Sequence, residues 1–136
     1  MIHECQISYL SVDEKGCERT VKENYVVENL GCFTEVEEKL LDEFGGLKAL
    51  DVTKIKRSNI KEIANSRQDD SDKLWVAELE DIFTMDDGTE KELKYKILFF
   101  SKTIDSAIKF IGEYSKQGYQ MTLVTLKKTN FKDVVE

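Results

Sequence analysis

The segment Ile55 to Ile63, IKRSNIKEI, returns seventy-one residues later as Leu126 to Val134, LKKTNFKDV, and all nine aligned pairs are identical or conservative. Lys56/Lys127, Asn59/Asn130 and Lys61/Lys132 are identical. A segment used twice points to a fold assembled from two similar halves. The surrounding sequence divides in the same way.

Ile2 to Val12 places Cys5, Ile7 and Tyr9 on one face by alternation, Asp13-Glu14-Lys15-Gly16 supplies a turn, and Arg19 to Glu28 repeats the strand pattern. These stretches predict a β-hairpin. Phe33, Val36, Leu40, Leu41 and Phe44 then fall at helical spacing, with Thr34-x-x-Glu37 as a capping box and Gly45-Gly46 as the stop. Leu50 to Arg57 returns to strand character. The second half repeats the order: Leu74 to Met85, the turn Asp86-Asp87-Gly88, and Glu92 to Phe100. A helix follows with Ile104, Ala107, Ile108, Ile111 and Tyr114 on its buried stripe, a cap at Thr103 or Asp105, and Gly118 past its end. Tyr119 to Lys128 is the last strand. Asn59-x-x-Glu62 and Asn130-x-x-Asp133 read as N-caps of short helical turns, anchored by Ile60, Ile63, Phe131 and Val134.

The expected fold is α+β: a tandem duplication of a ββαβ unit, pseudo-twofold symmetric, with antiparallel sheet or sheets packed by two main helices. Residues 1–136 form a single domain of two repeats, 1–64 and 74–136, joined by a polar linker, 65–73. A ββαβ unit alone has too few strands to bury its apolar face, so the halves are expected to pack through a common core or a joined sheet. Ile97 to Phe100 is apolar on both faces, which predicts a central strand and makes a homodimer an expected partner arrangement.

A chain of 136 residues can bury roughly two-thirds of its unfolded surface, enough for a core without staples. Twenty Lys and Arg against 27 Asp and Glu give a net charge of −7, which repels a phosphate backbone at long range and disfavours non-specific nucleic-acid binding. Three cysteines, Cys5, Cys17 and Cys32, are odd in number and show no C-x-x-C spacing, so neither a complete disulfide framework nor a four-ligand zinc site is indicated. The opening MIHECQISYL lacks the charge and apolar run of a signal peptide, and no apolar run is long enough to span a bilayer. A cytoplasmic protein without membrane partners is expected.

His3 is the only histidine, so a multi-histidine metal site is removed and a Ser-His-Asp or Cys-His site would need an unusual composition; it reads as an exposed strand residue. Cys32 reads as a buried structural thiol. Asp69, Asp70 and Asp72 lack the frame of a calcium loop, and no phosphate-binding or nucleophile-elbow motif occurs. No catalytic, metal or cofactor residue is therefore nominated. The candidate binding surface is basic: Lys54, Lys56, Arg57 and Lys61, with Lys127, Lys128 and Lys132 at the echoing positions. Lysines also guard exposed strand ends, and caps and core anchors explain the doubled segment without a ligand.

Several stretches carry a family resemblance: Glu4 to Tyr9 (E-C-x-I-x-Y), Asp13 to Gly16 (D-E-x-G), Tyr25 to Leu30 (Y-V-V-E-x-L), Phe33 to Glu37 (F-T-E-x-E) and Val52 to Ile63. In the second half W-V-A-E-L, D-G-T-E-K and Asn-Phe-Lys-Asp continue it. Together they resemble an uncharacterised domain-of-unknown-function family of Bacteroides-group bacteria, their phages and mobile elements. The resemblance implies a small accessory protein of a phage or integrated element, with no active site to carry over. The expected function is a non-enzymatic binding protein that contacts an unknown host or phage protein. The alternatives are a single-stranded nucleic-acid module using Lys56, Arg57, Lys127 and Lys128, and an acidic mimic of DNA that occupies a host protein.

Overall fold

The computed structural model describes residues 1–28, 30–117 and 121–136. The fold is α+β, with eight strands and two helices among the described residues. In chain order these are β1 (Ile2–Val12), β2 (Glu18–Glu28), α1 (Phe33–Glu43), β3 (Lys48–Arg57), β4 (Ile60–Ile63), β5 (Lys73–Thr84), β6 (Glu90–Ser101), α2 (Ile104–Ser115), β7 (Met121–Lys128) and β8 (Phe131–Val135). The expected positions of Gly118 and Tyr119 lie outside the described residues.

The strands form two four-stranded sheets, ordered β3-β1-β2-β8 and β4-β6-β5-β7. Each sheet is built on an antiparallel hairpin whose loop turns on a left-handed glycine, Gly16 at φ +80° and Gly88 at φ +85°. The loops close alike: Asp13 N–H donates to Cys17 O, and Met85 N–H to Thr89 O. β3 pairs antiparallel with β1, and β7 with β5, each with an extra residue at the echoing position, Thr53 and Val124. Ile97 to Phe100 is buried on β6, which lies between β4 and β5.

The doubled segment departs from the capped turn its sequence suggests. Ile60–Ile63 and Phe131–Val135 are strands, and each runs parallel to the second strand of a hairpin: β4 beside β6, β8 beside β2. The chain thereby forms two compact units, Met1–Ser58 with Asn130–Glu136, and Asn59–Thr129. Each sheet takes its fourth strand from beyond its own ββαβ run. The asparagine caps are local signals; pairing with a distant strand satisfies the backbone groups on the inner edge of each segment and prevails.

In the first unit α1 covers Cys5, Ile7, Tyr25 and Val27 with Val36 and Leu40, and Val135 of β8 completes the cluster. In the second, Ala107 and Ile111 of α2 cover Trp75, Ala77, Leu79, Ile97 and Phe99. Phe33 and Leu41, expected on the buried stripe of α1, are exposed, as are Ile104 and Ile108 of α2. Thr103 caps α2 as expected, its hydroxyl accepting from Ser106 N–H. Cys32, not Thr34, occupies the cap position of α1, without a side-chain bond. Thr34 lies inside the first turn, so no capping box forms.

Residues 64–72, between β4 and β5, belong to the second unit and are held by their own polar groups. Asn65 donates to Phe100 O (3.0 Å) and accepts from Phe100 N–H (2.7 Å), extending the parallel pairing of β4 with a side-chain amide. The Asp72 carboxylate accepts from the backbone of Gln68 and Asp69, and Asp69 accepts from Ser71. Asp69 and Asp72 thus act as turn acceptors.

Candidate functional site

The seven basic candidates divide between the two units. Lys54, Lys56, Arg57 and Lys132 belong to the first; Lys61, Lys127 and Lys128 belong to the second. Strand alternation divides them again. Ile55 and Leu126 pack on the two cores, so Arg57 and Lys128 lie on the helix side, while Lys56 and Lys127 point to the other face. Two of the seven are engaged within their own units. Lys132 pairs with Glu23, and the Lys61 ammonium lies 4.2 Å from the centroid of the Tyr95 ring. These two are echoing positions, facing echoing positions on β2 and β6. Burial pushes the Glu23 carboxyl up, but Lys132 and the Tyr9 hydroxyl outweigh it and hold the group below its ordinary value. Lys73 beside Lys128 lowers the affinity of that lysine for its proton.

Sequence periodicity missed the two flanks of α2. On one flank Phe110, Glu113, Tyr114 and Gln117, at i, i+3, i+4 and i+7, face Glu62, Ile63 and Ala64 of the β4 segment across a cleft of about 460 Å³. Phe110 stacks on the buried Phe99 at 4.7 Å between centroids, and Tyr114 donates its hydroxyl to Glu62. Burial first, then the bond to Glu62 and its charge, raise the Tyr114 pKa, so the phenol stays protonated and remains a donor. On the opposite flank Ile104 and Ile108 are 45% and 53% exposed, and on β7 Leu123 and Val124 are 37% and 47% exposed. The i, i+3, i+4, i+7 spacing was the available signal; the buried stripe alone absorbed Tyr114, Ile104 and Ile108.

The first unit has a cleft of about 330 Å³ between α1 and β3, lined in part by Phe33, Glu37, Thr53 and Lys54. These positions echo Ile104, Ile108, Val124 and Thr125 of the second unit. The same part of the plan is therefore mixed in charge in one unit and largely apolar in the other.

His3 is fully buried, against its expected exposure, and neither ring nitrogen has a hydrogen-bond partner among the described residues. It packs edge-on against Phe33, 5.6 Å between ring centres. Its parity with Cys5 and Ile7 on β1 places it on the covered face, a signal the sequence contained. Burial, then Arg57 and the N-terminus, lower its pKa from 6.5. Cys32 is exposed, which corrects its expected burial, and so is Cys17. Cys5 is buried, its thiol pushed up to about 12 by burial and then by Glu4, so it is not a thiolate nucleophile at neutral pH. Among the described residues no group of three His, Cys, Asp or Glu side chains is placed to hold a metal ion, and no helix is long and apolar enough to cross a membrane.

The family model described as Domain of unknown function (DUF4494) matches residues 1–136. The chain belongs to this family. No curated protein and no solved structure matches the chain. Family membership spans both units and carries no assigned chemistry, so the two flanks of α2 and the basic strand ends are weighed by their own geometry.

Proposed function

We propose that this DUF4494 protein is a small non-enzymatic binding protein, and that it takes a protein partner along the flank of α2 and β7. The observation that carries the reading is the set Ile104, Ile108, Leu123 and Val124, all large, apolar and exposed in one unit. Exposed apolar side chains grouped on neighbouring elements are the usual mark of a protein interface, and burying the exposed half of each is worth about 1 kcal/mol. The partner is a second copy or a host or phage protein, consistent with a cytoplasmic accessory protein of a phage or mobile element. The matching strand orders and echoing contacts support its origin as a duplicated ββαβ unit.

Nucleic acid is supported less well. Lys61 and Lys132 already have partners inside the chain, the other five basic residues are divided between faces and units, and the net charge is −7. Ile104→Glu with Ile108→Glu tests the protein-binding reading, because both side chains are exposed and the fold tolerates their change. Light scattering and affinity capture from the native host should show a dimer or a saturable partner with the natural chain and neither with the double variant. A strictly monomeric chain that captures no more than the variant overturns it.

A further inference from the structure

We propose that the cleft between α2 and β4 receives an organic cation, an ammonium or guanidinium group on an aliphatic stem, against Phe110 and Tyr114 and between the carboxylates of Glu62 and Glu113. This site lies on the flank of α2 opposite Ile104 and Ile108, and it does not depend on the protein-binding reading.

The cleft, at about 460 Å³, falls in the size range of small-ligand sites, and none of its lining residues is basic. Its aromatic wall is fixed: Phe110 stacks on Phe99, itself fully buried, and Tyr114 lies 6.4 Å further along at an interplanar angle of 26°. Ring faces attract cations through their quadrupole. Tyr114 donates to one oxygen of Glu62, which orients the carboxylate and leaves its other oxygen as an acceptor. Glu113 meets Lys116 at 3.3 Å, but those side chains are 69% and 73% exposed, and so loose a pair yields readily to a competing cation.

The first unit gives the second, independent observation. The spacing that superposes Val36 and Leu40 on Ala107 and Ile111 puts Lys39 at the position of Phe110, Asp42 at Glu113 and Asp133 at Glu62. Lys39 is half-buried there. The first unit thus places a lysine of its own at this point of the plan, whereas the second keeps the acids and substitutes a ring. Elsewhere in the second unit the chain's own cations sit on rings: Lys61 on Tyr95, and Arg67 on Phe100 at 4.9 Å. The cleft offers rings and carboxylates, and among the described residues its lining holds no cation of the chain over either ring.

Two sources share this ligand chemistry, a basic side chain of another protein and a free polyamine. The experiment titrates the full chain with acetyl-Gly-Arg-Gly-amide, acetyl-Gly-Lys-Gly-amide and spermidine at matched ionic strength, with acetyl-Gly-Gln-Gly-amide as the neutral control, and follows backbone amide shifts. Saturable shifts at Phe110, Tyr114 and Glu62 to Ala64, in about the millimolar range or tighter, are expected with the cations alone. Glu62→Gln with Glu113→Gln should weaken binding about tenfold, and Phe110→Leu about threefold. All three positions sit at the cleft surface or keep their shape, and a thermal melt confirms the fold. Tighter binding of the peptides assigns the site to a protein's basic side chain; tighter binding of spermidine assigns it to polyamines. Shifts that fail to saturate, that match those of the Gln peptide, or that persist unchanged in the carboxamide double variant overturn the proposal.

Discussion

The two units share a strand order and differ in how each settles the same positions. Where the hairpin of the second unit carries Trp75, whose indole donates to Ser101 O at 2.9 Å, the first unit carries His3 with no hydrogen-bond partner among the described residues. Where β6 offers Tyr95 to Lys61, β2 offers Glu23 to Lys132. Where α2 carries Phe110, α1 carries Lys39. Backbone pairing and helix coverage are common to both, so the plan tolerates very different side chains at these points. The lesson is that the second unit resolves its shared positions with rings and the first with charges, and the units should respond differently to cavities, pH and salt.

The largest expected difference lies in the cores. Phe99 is fully buried and stacked on Phe110, while Val27 holds the echoing position in the first unit. Phe99→Ala should cost about 3–5 kcal/mol through lost transfer energy and the cavity left behind. Val27→Ala removes less volume and should cost about 2 kcal/mol. Urea unfolding followed by Trp75 fluorescence and by hydrogen exchange in the first unit separates the two. Equal costs would break the comparison, because they would mean that the rings of the second unit add nothing to its stability.

Next in size are the strands contributed by the doubled segment. Val135 is buried in the first core and Ile60 is buried in the second unit, although each follows a strand of the other unit in sequence. Val135→Ala should cost about 2 kcal/mol and raise exchange first at β2, while Ile60→Ala should cost about 2–3 kcal/mol and raise exchange first at β6. If Ile60→Ala loosens β3 and leaves β6 protected, the strand exchange is wrong.

Those two strands also mark how far the sequence was legible. The hairpins, the order of elements, the Thr103 cap and the interior place of β6 follow from period, turn chemistry and apolar runs. The exchange does not. Ile60 to Ile63 is too short for a clear period, its asparagine signals a cap, and the strand that pairs with it begins some thirty residues later. Phe131 to Val135 must find a partner more than a hundred residues back. Candidate sites suffered in the same way. The lysines were conspicuous in one dimension and scattered in three, while the cleft beside α2 needed the position of β4, which only the exchange supplies.

A smaller effect distinguishes the units by pH. His3 titrates below 6.5 in the folded chain because burial, Arg57 and the N-terminus disfavour its charged form. The unfolded chain therefore takes up this proton first as pH falls, so stability is whole above about pH 7.5 and declines as pH drops through 6.5. Glu23, Asp69 and Asp87 are held below their ordinary values, and their contributions are lost only as pH falls through the carboxylate range. Melting temperature measured from pH 7.5 to 5.5 should fall more steeply for the natural chain than for His3→Phe. Parallel profiles would show that the buried imidazole carries no linkage.

The smallest expected difference concerns the two echoing lysines. Lys132 meets Glu23, whose side chain is only 11% exposed, so Lys132→Met leaves a partly buried carboxylate without its cation and should cost about 1 kcal/mol. Lys61 sits on a ring, and Lys61→Met keeps an apolar stem there while losing about 0.5 kcal/mol of cation–π attraction. Salt separates the two. At 1 M salt the screening length contracts to about 3 Å, so the cost of Lys132→Met should shrink by about half. The cost of Lys61→Met, made at short range against a neutral ring, should change little. Urea midpoints for both variants in 0.05 M and 1 M sodium chloride, on the order of those ionic strengths, measure the contrast. Identical salt responses would mean that Lys132 is held by packing of its stem rather than by the charge of Glu23.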